Sequence, residues 1–270
     1  MWLRTSCDLS FDIAVPTPFV LMLRPRSGKN QWIASEEYKI VPSVPVIEYT
    51  DIYGNLCQRL MASVGNFSIH TAAEVMTADY TDQAFGAPFV EVQNLPESVL
   101  TYLLPSRYCE ADHFSQMAME VTAGEMMGYD QVAAITAWIR RTIRFESDYS
   151  HLQASAVEVH MRQSGVCRDL SHLAIAMCRS LSIPARMVVG YLHGLEPMDL
   201  HAWFEAYVGD RWYAFDATQA QMRGGYVVVG YGRDAADVAV YNQFGPALYP
   251  VRQEISVEKL LDDHGFLKDQ

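Results

Sequence analysis

The first hundred residues of the chain alternate in short steps. Leu9, Phe11, Ile13 and Val15 are separated by polar or small residues, which is the period of a half-buried strand. Residues 19–23, 38–41, 44–49 and 67–75 are short apolar or β-branched runs. Pro16, Pro18, Pro25, Pro42 and Pro45 punctuate them, and a turn is expected at 51–55. This spacing predicts a small β-sandwich over residues 1–105. From about residue 112 the period lengthens. Val132, Ile135, Ile139 and Ile143 form a helical stripe, and Ser155 with Glu158 has the spacing of a capping box. Leu170, Leu173, Ala174, Met177 and Leu181 then mark one apolar face of a helix that opens at Cys167. Ile183-Pro184 stops it, because proline lacks an N–H and disfavours helical geometry in the residue before it. Strands are expected at 186–192, 201–208, 211–216 and 226–231, so helices followed by antiparallel strands predict an α+β core over residues 106–245. Residues 246–270 read as an irregular tail.

The candidate chemistry sits at the ends of these elements. Cys167 falls in the first turn of its helix, where unpaired backbone N–H groups and the positive dipole end favour an anion. A free thiol near pKa ~8.5 is only a few per cent thiolate at neutral pH, and such a position beside an imidazolium lowers it. His201 opens one expected strand and Asp216 closes the next, with Gly209-Asp210 between the two strands. A two-residue turn there sets Val208 opposite Arg211 and Trp203 opposite Asp216. His201 then shares a face with Asp216 as a diagonal neighbour, roughly 7–8 Å away between backbones and within reach of the two side chains. Thiol, imidazole and carboxylate in this order are the parts of a nucleophilic acyl-transfer site. Glu205 shares the same face, but four residues along a strand is roughly 13 Å, too far to serve His201 directly.

Four stretches together resemble the core of the transglutaminase-like superfamily: Gly165-Val166-Cys167-Arg168-Asp169, Ile183-Pro184-Ala185-Arg186 leading into Val189-Gly190-Tyr191, His201-Ala202-Trp203-Phe204-Glu205, and Trp212-Tyr213-Ala214-Phe215-Asp216-Ala217-Thr218. The likeness is greatest to the bacterial branch named for cysteine proteases. It extends upstream through Leu104-Pro105-Ser106-Arg107-Tyr108 and downstream through Gly232-Arg233-Asp234. It implies a papain-like core, with Cys167 as nucleophile, His201 as base and acid, and Asp216 orienting the histidine. The N-terminal β-domain also accompanies such cores. The activity implied is hydrolysis of a peptide or protein amide through a thioester. The alternatives are transfer to an amine, as in a transglutaminase, and a non-catalytic peptide-binding module on the same fold.

Composition narrows the partners. The 270 residues carry a net charge of −12 and no Lys/Arg stripe, which argues against nucleic acid. No run approaches the roughly 18 apolar residues of a membrane helix. Asp8 and Asp12 break the basic-then-apolar order of a signal peptide, so a cytoplasmic protein is expected. Cys7, Cys57, Cys109, Cys167 and Cys178 are scattered and odd in number, which fits a reducing compartment. Cys178 reads as core, and Cys7, Cys57 and Cys109 lack a helix-start context. A zinc site built from Cys167, Cys178 and nearby histidines matches no structural-zinc spacing. No acidic loop of the EF-hand type is present, so neither metal nor cofactor is expected. His172, five residues past Cys167, points elsewhere, and His193 reads as surface loop. Tyr149, Gln153 and Gln163 stand open as oxyanion donors, while Arg233, Asp234 and Asp237 read as a structural turn with ion pairing. Oligomeric state is not indicated.

Overall fold

The computed structural model describes residues 1–146 and 153–260. Strand β1 (Trp2–Ile13) buries Leu3, Thr5, Cys7, Leu9, Phe11 and Ile13 and turns its even-numbered residues outward. The strand therefore begins well before Leu9, and Thr5 is what interrupts its apolar signal. β2 (Thr17–Leu21), β3 (Gln31–Val41), β4 (Val46–Thr50), β5 (Leu56–Ala62) and β6 (Gly65–Thr77) follow. β5 has no counterpart in the pattern reading, because Gln58 and Arg59 interrupt its apolar residues, yet Gln58 is buried. Two sheets face each other across Phe11, Phe19 and Phe67, with ring centroids 5.3 Å apart for Phe11–Phe19 and 6.1 Å for Phe19–Phe67.

The second half starts with α1 (Glu97–Leu100), α2 (Ser115–Val121) and α3 (Tyr129–Thr142). Val132, Ile135 and Ile139 of α3 are buried, and Ile143 is buried just beyond its end. β7 (Arg144–Phe145) pairs in parallel with β8 (Ser164–Gly165), which follows α4 (Ala156–Arg162). The expected capping box closes α4: Glu158 N–H donates to Ser155 Oγ, and Ser155 N–H donates to Glu158 Oε2 at 2.8 Å. Helix α5 (Cys167–Ser180) is next. A single apolar face is a correct but incomplete description of it, since every residue from Asp169 to Arg179 is buried. α5 is central, with the sheet on one side and α2, α3 and α4 around it. Its polar residues are accommodated by specific hydrogen bonds rather than by solvent. The antiparallel sheet consists of β9 (Ala185–Leu192), β10 (His201–Val208), β11 (Arg211–Phe215) and β12 (Tyr226–Gly232) in the order β11-β10-β9-β12.

Within the stretch expected to be an irregular tail, residues 252–259 form a strand. After β13 (Tyr241–Gln243) joins β2, β14 (Arg252–Lys259) pairs with β1 from Ser10↔Arg252 to Leu3↔Lys259. Only Ile255 and Val257 carry its inward apolar signal, too little for a period to show. The outer edge of β12 is also occupied. Thr77 Oγ1 donates to Tyr226 O at 2.8 Å, and the Gln31 amide both donates to Val228 O (2.8 Å) and accepts from Val228 N–H (2.7 Å). The Asn55 amide makes the same pair of bonds to Tyr231, at 2.7 and 2.8 Å. Side chains of the β-domain thus replace the missing neighbour strand of the core sheet.

Candidate active site

Cys167 is the first residue of α5 and remains half-exposed at the head of an otherwise buried helix. Asp169 secures that helix start: its Oδ2 accepts from Val166 N–H at 3.3 Å, and its carboxylate pairs with Arg168 at 2.9 Å and Arg162 at 3.4 Å. Gly165 is required by the same packing, because a Cβ there would lie 2.8 Å from Asp169 Cβ. Ser171 Oγ donates to Cys167 O, tying the first turn to the second.

The β10–β11 hairpin delivers the other two groups. Gly209 and Asp210 both have positive φ (54° and 61°), as a two-residue turn matching strand twist requires. Val208 faces Arg211, and the ladder runs to Phe204↔Phe215, as the spacing predicts. Continuing the count sets Asp216 beside Trp203, on the side shared with His201. His201 Nε2 lies 2.6 Å from Asp216 Oδ2, and the Cys167 side chain lies close enough to act on the imidazole. The residues brought together are therefore Cys167, His201 and Asp216. His201 and Asp216 are almost wholly buried.

The carboxylate is fully satisfied. Its Oδ1 accepts from Thr218 N–H (2.8 Å) and Thr218 Oγ1 (2.7 Å), and its Oδ2 accepts from Tyr226 OH (2.9 Å) as well as from His201. Burial alone would raise the Asp216 carboxyl, but the bonds from His201 and Thr218 outweigh it and hold the group below its ordinary value. Burial likewise opposes the His201 imidazolium, yet the bonds to Asp216 and Cys167 prevail and raise it to about 10. Trp203 stacks on the imidazole at 6.0 Å between centroids, and Tyr226 closes edge-on against Trp203 at 5.0 Å. Tyr226 is the residue that sequence reasoning missed. It starts the outermost core strand, and no spacing rule ties it to Asp216.

Other candidates are held elsewhere. Glu205 Oε2 accepts from Arg186 Nε and Nη2 at 2.8 and 2.6 Å, and that guanidinium is sandwiched between Trp212 and Tyr231. His172 is sealed in the core, hydrogen-bonded to Ala154 O (2.8 Å) and to Ala235 N–H (3.2 Å) and stacked on Tyr108. His193 lies in the turn after β9, its N–H donating to Gly225 O. Gln163 donates its amide back to His160 O, and Gln153 Oε1 accepts from Tyr108 OH. Tyr149 lies outside the described residues. Arg233 and Asp237 form the expected ion pair at 2.9 Å, joined by Tyr53, and Asp234 accepts from Tyr108 N–H. Cys7, Cys57, Cys109 and Cys178 are buried, and burial raises each thiol. Among the described residues no group of His, Cys, Asp and Glu is arranged to hold a metal ion, and no helix is long and apolar enough to cross a membrane.

A cysteine at the head of a central helix, facing a histidine and an aspartate on an antiparallel sheet, defines the papain-like class of α+β folds. Residues 115–217 match the family described as the transglutaminase-like superfamily, and the chain belongs to it. A protein of Cytophaga hutchinsonii described as a "putative cysteine protease" is 34% identical. The likeness covers 100% of this chain and 94% of that one, with a TM-score of 0.89. The uncharacterized protein ML0607 of Mycobacterium leprae is 25% identical over 230 residues, covering 80% of this chain and 82% of its own. Uncharacterized protein Rv2569c of Mycobacterium tuberculosis is 32% identical over 109 residues, 35% of each chain.

Proposed function

We propose that the protein hydrolyses amide bonds of a peptide or protein through a thioester formed on Cys167. The observation that carries this reading is the half-exposed Cys167 thiol beside His201, whose imidazole is bonded to a fully satisfied, buried Asp216. In the resting pair the thiol proton resides on His201, whose other nitrogen is held by Asp216. The thiolate adds to the substrate carbonyl, and the C–N bond then breaks as His201 gives its proton to the departing amine. Water next attacks the thioester while His201 takes one of its protons. Collapse releases the carboxylic acid and restores the thiolate and the imidazolium of the resting pair. An N–H in the first turn of a helix has no intrahelical acceptor, so the Cys167 N–H serves as oxyanion donor in this reading, and one such donor is worth about 10²–10³ in rate.

The test is alkylation of the native protein by iodoacetamide between pH 4 and 9, each cysteine followed by peptide mass spectrometry. Selective reaction of Cys167 below pH 7, abolished by His201→Ala, is the expected result. Cys167 reacting no faster than the four buried thiols would remove the nucleophile. A screen of peptide amides with and without added amines then separates hydrolysis from transfer.

A further inference from the structure

The third member of the triad has a tether that leads out of the catalytic core. Asp216 Oδ2 is shared by two donors, His201 Nε2 and the Tyr226 hydroxyl at 2.9 Å. Tyr226 is the first residue of β12. Its hydroxyl also reaches Met222 Sδ at 3.6 Å, a weak contact that does not compete with the carboxylate. What fixes this strand on its outer side is the β-domain, through Thr77 on Tyr226 O, Gln31 on both backbone groups of Val228 and Asn55 on both of Tyr231. These anchors are themselves immobilised. The Gln31 amide also donates to Arg26 O at 2.8 Å, and Asn55 is bound through its N–H and its amide to Asp51, both at 2.8 Å. All three anchors are buried. An amide side chain that pairs with both groups of a strand residue fixes its position along the strand as well as its distance, as a neighbouring strand would.

We infer that Tyr226 is a positioning residue for Asp216, and that the N-terminal β-domain, by clamping β12, is part of the device that aims the triad. The inference rests on the reading of Cys167, His201 and Asp216 as nucleophile, base and orienting carboxylate. Thr218 pins Oδ1 from the chain just after Asp216, whereas among the described residues only Tyr226 and His201 bind Oδ2. Without the hydroxyl, the oxygen that must face the imidazole is located by the imidazole alone. The charged and titratable groups acting on this carboxylate and its partners are His201 on β10, Cys167 on α5, Tyr226 on β12 and, further out, Arg223 before β12.

Three variants test this by rate and by pH profile of Cys167 alkylation. Tyr226→Phe removes only the hydroxyl. Thr77→Val removes only the bond to Tyr226 O and keeps the side-chain shape. The double variant combines them. Each single change is expected to slow alkylation near pH 6 by about tenfold, since misplacement of 1 Å costs up to about 10²-fold. Each is also expected to move the acid limb of the profile to higher pH, as the thiolate loses an aligned imidazolium. The double variant should be no worse than Tyr226→Phe, because both act through one oxygen. Gln31→Leu provides a second β-domain arm should Thr77→Val lower the melting temperature. An unchanged limb in Tyr226→Phe, or one moved to lower pH, overturns the inference, as does simple multiplication of the two effects. Those outcomes leave the triad reading intact when His201→Ala still abolishes selective alkylation in the parent protein. If the parent shows no selectivity, it is the triad reading that has failed.

Discussion

Gly190→Ala introduces one methyl group at the residue paired with His201 across β9 and β10. β12 bulges between Val228 and Gly230, and this brings the Val227 carbonyl over the Gly190 α-carbon. A Cβ at 190 would stand 1.9 Å from Val227 O and 3.2 Å from Trp203 Cη2. To reach even 3.0 Å from a backbone oxygen, β9 and β12 must separate by about 1.1 Å. Overpacking of this kind costs about 1–3 kcal/mol, or about 3–10 °C in melting temperature for a chain of this size. The displaced groups are also those around the site, since β12 carries Tyr226 and Trp203 stacks on His201. Alkylation of Cys167 near pH 6 should therefore fall by about tenfold or more, beyond the loss explained by unfolded protein. Thermal unfolding followed by circular dichroism, and the alkylation rate well below the transition, measure the two effects separately. A variant that melts within 1 °C of the parent and reacts at the same rate, a tolerance of about 0.3 kcal/mol, would show that the strands do not approach so closely.

Asp216→Asn should lower the alkylation rate by about 10²–10⁴-fold, because the amide cannot support the His201 imidazolium. The raised His201 value adds stability that is complete below its ordinary 6.5 and disappears as pH climbs to about 10. Melting temperatures of the parent should therefore fall between pH 6 and 10 by more than those of the variant. Glu205→Gln breaks the ion pair with Arg186 and should destabilise the fold by about 2–4 kcal/mol in urea titration while leaving the pH profile of Cys167 unmoved. A shifted profile would return Glu205 to contention as the partner of His201. Arg179→Met deprives Leu104 O, Ala185 O and Arg233 O of a buried donor that reaches all three. A loss of about 3–5 kcal/mol in the same titration is expected, and a change below 1 kcal/mol would show those carbonyls to be satisfied otherwise.

Much of the site was legible because its geometry is local. The hairpin needs only the count across Gly209-Asp210 to bring His201 to Asp216, and the helix start at Cys167 needs only its own apolar period and Pro184. What stayed hidden depends on contacts between distant segments. Tyr226 reaches Asp216 only after β12 has been placed beside β9, which requires the whole sheet. Gln31, Asn55 and Thr77 read as ordinary polar residues until the edge they cover exists. β14 has two inward apolar residues and acquires strand character from β1. The burial of the polar side of α5 stayed hidden for the same reason: His172 and Arg179 find their hydrogen-bond partners on other elements, and no period within the helix records them.

The pairing of β14 with β1 also imposes an order on synthesis. β1 is made first and its partner β14 last among the described strands, with the α+β core between them. The core sheet has its partners in hand once β12 is complete, but the edge of β1 stays open until residues 252–259 emerge. Contacts this distant in sequence form slowly, and an unpaired strand edge invites association in the interval. A chain ending before residue 252 should therefore fail first as an aggregating nascent product with intact Cys167 chemistry in whatever fraction stays dispersed, an outcome that sedimentation followed by alkylation of the supernatant would reveal.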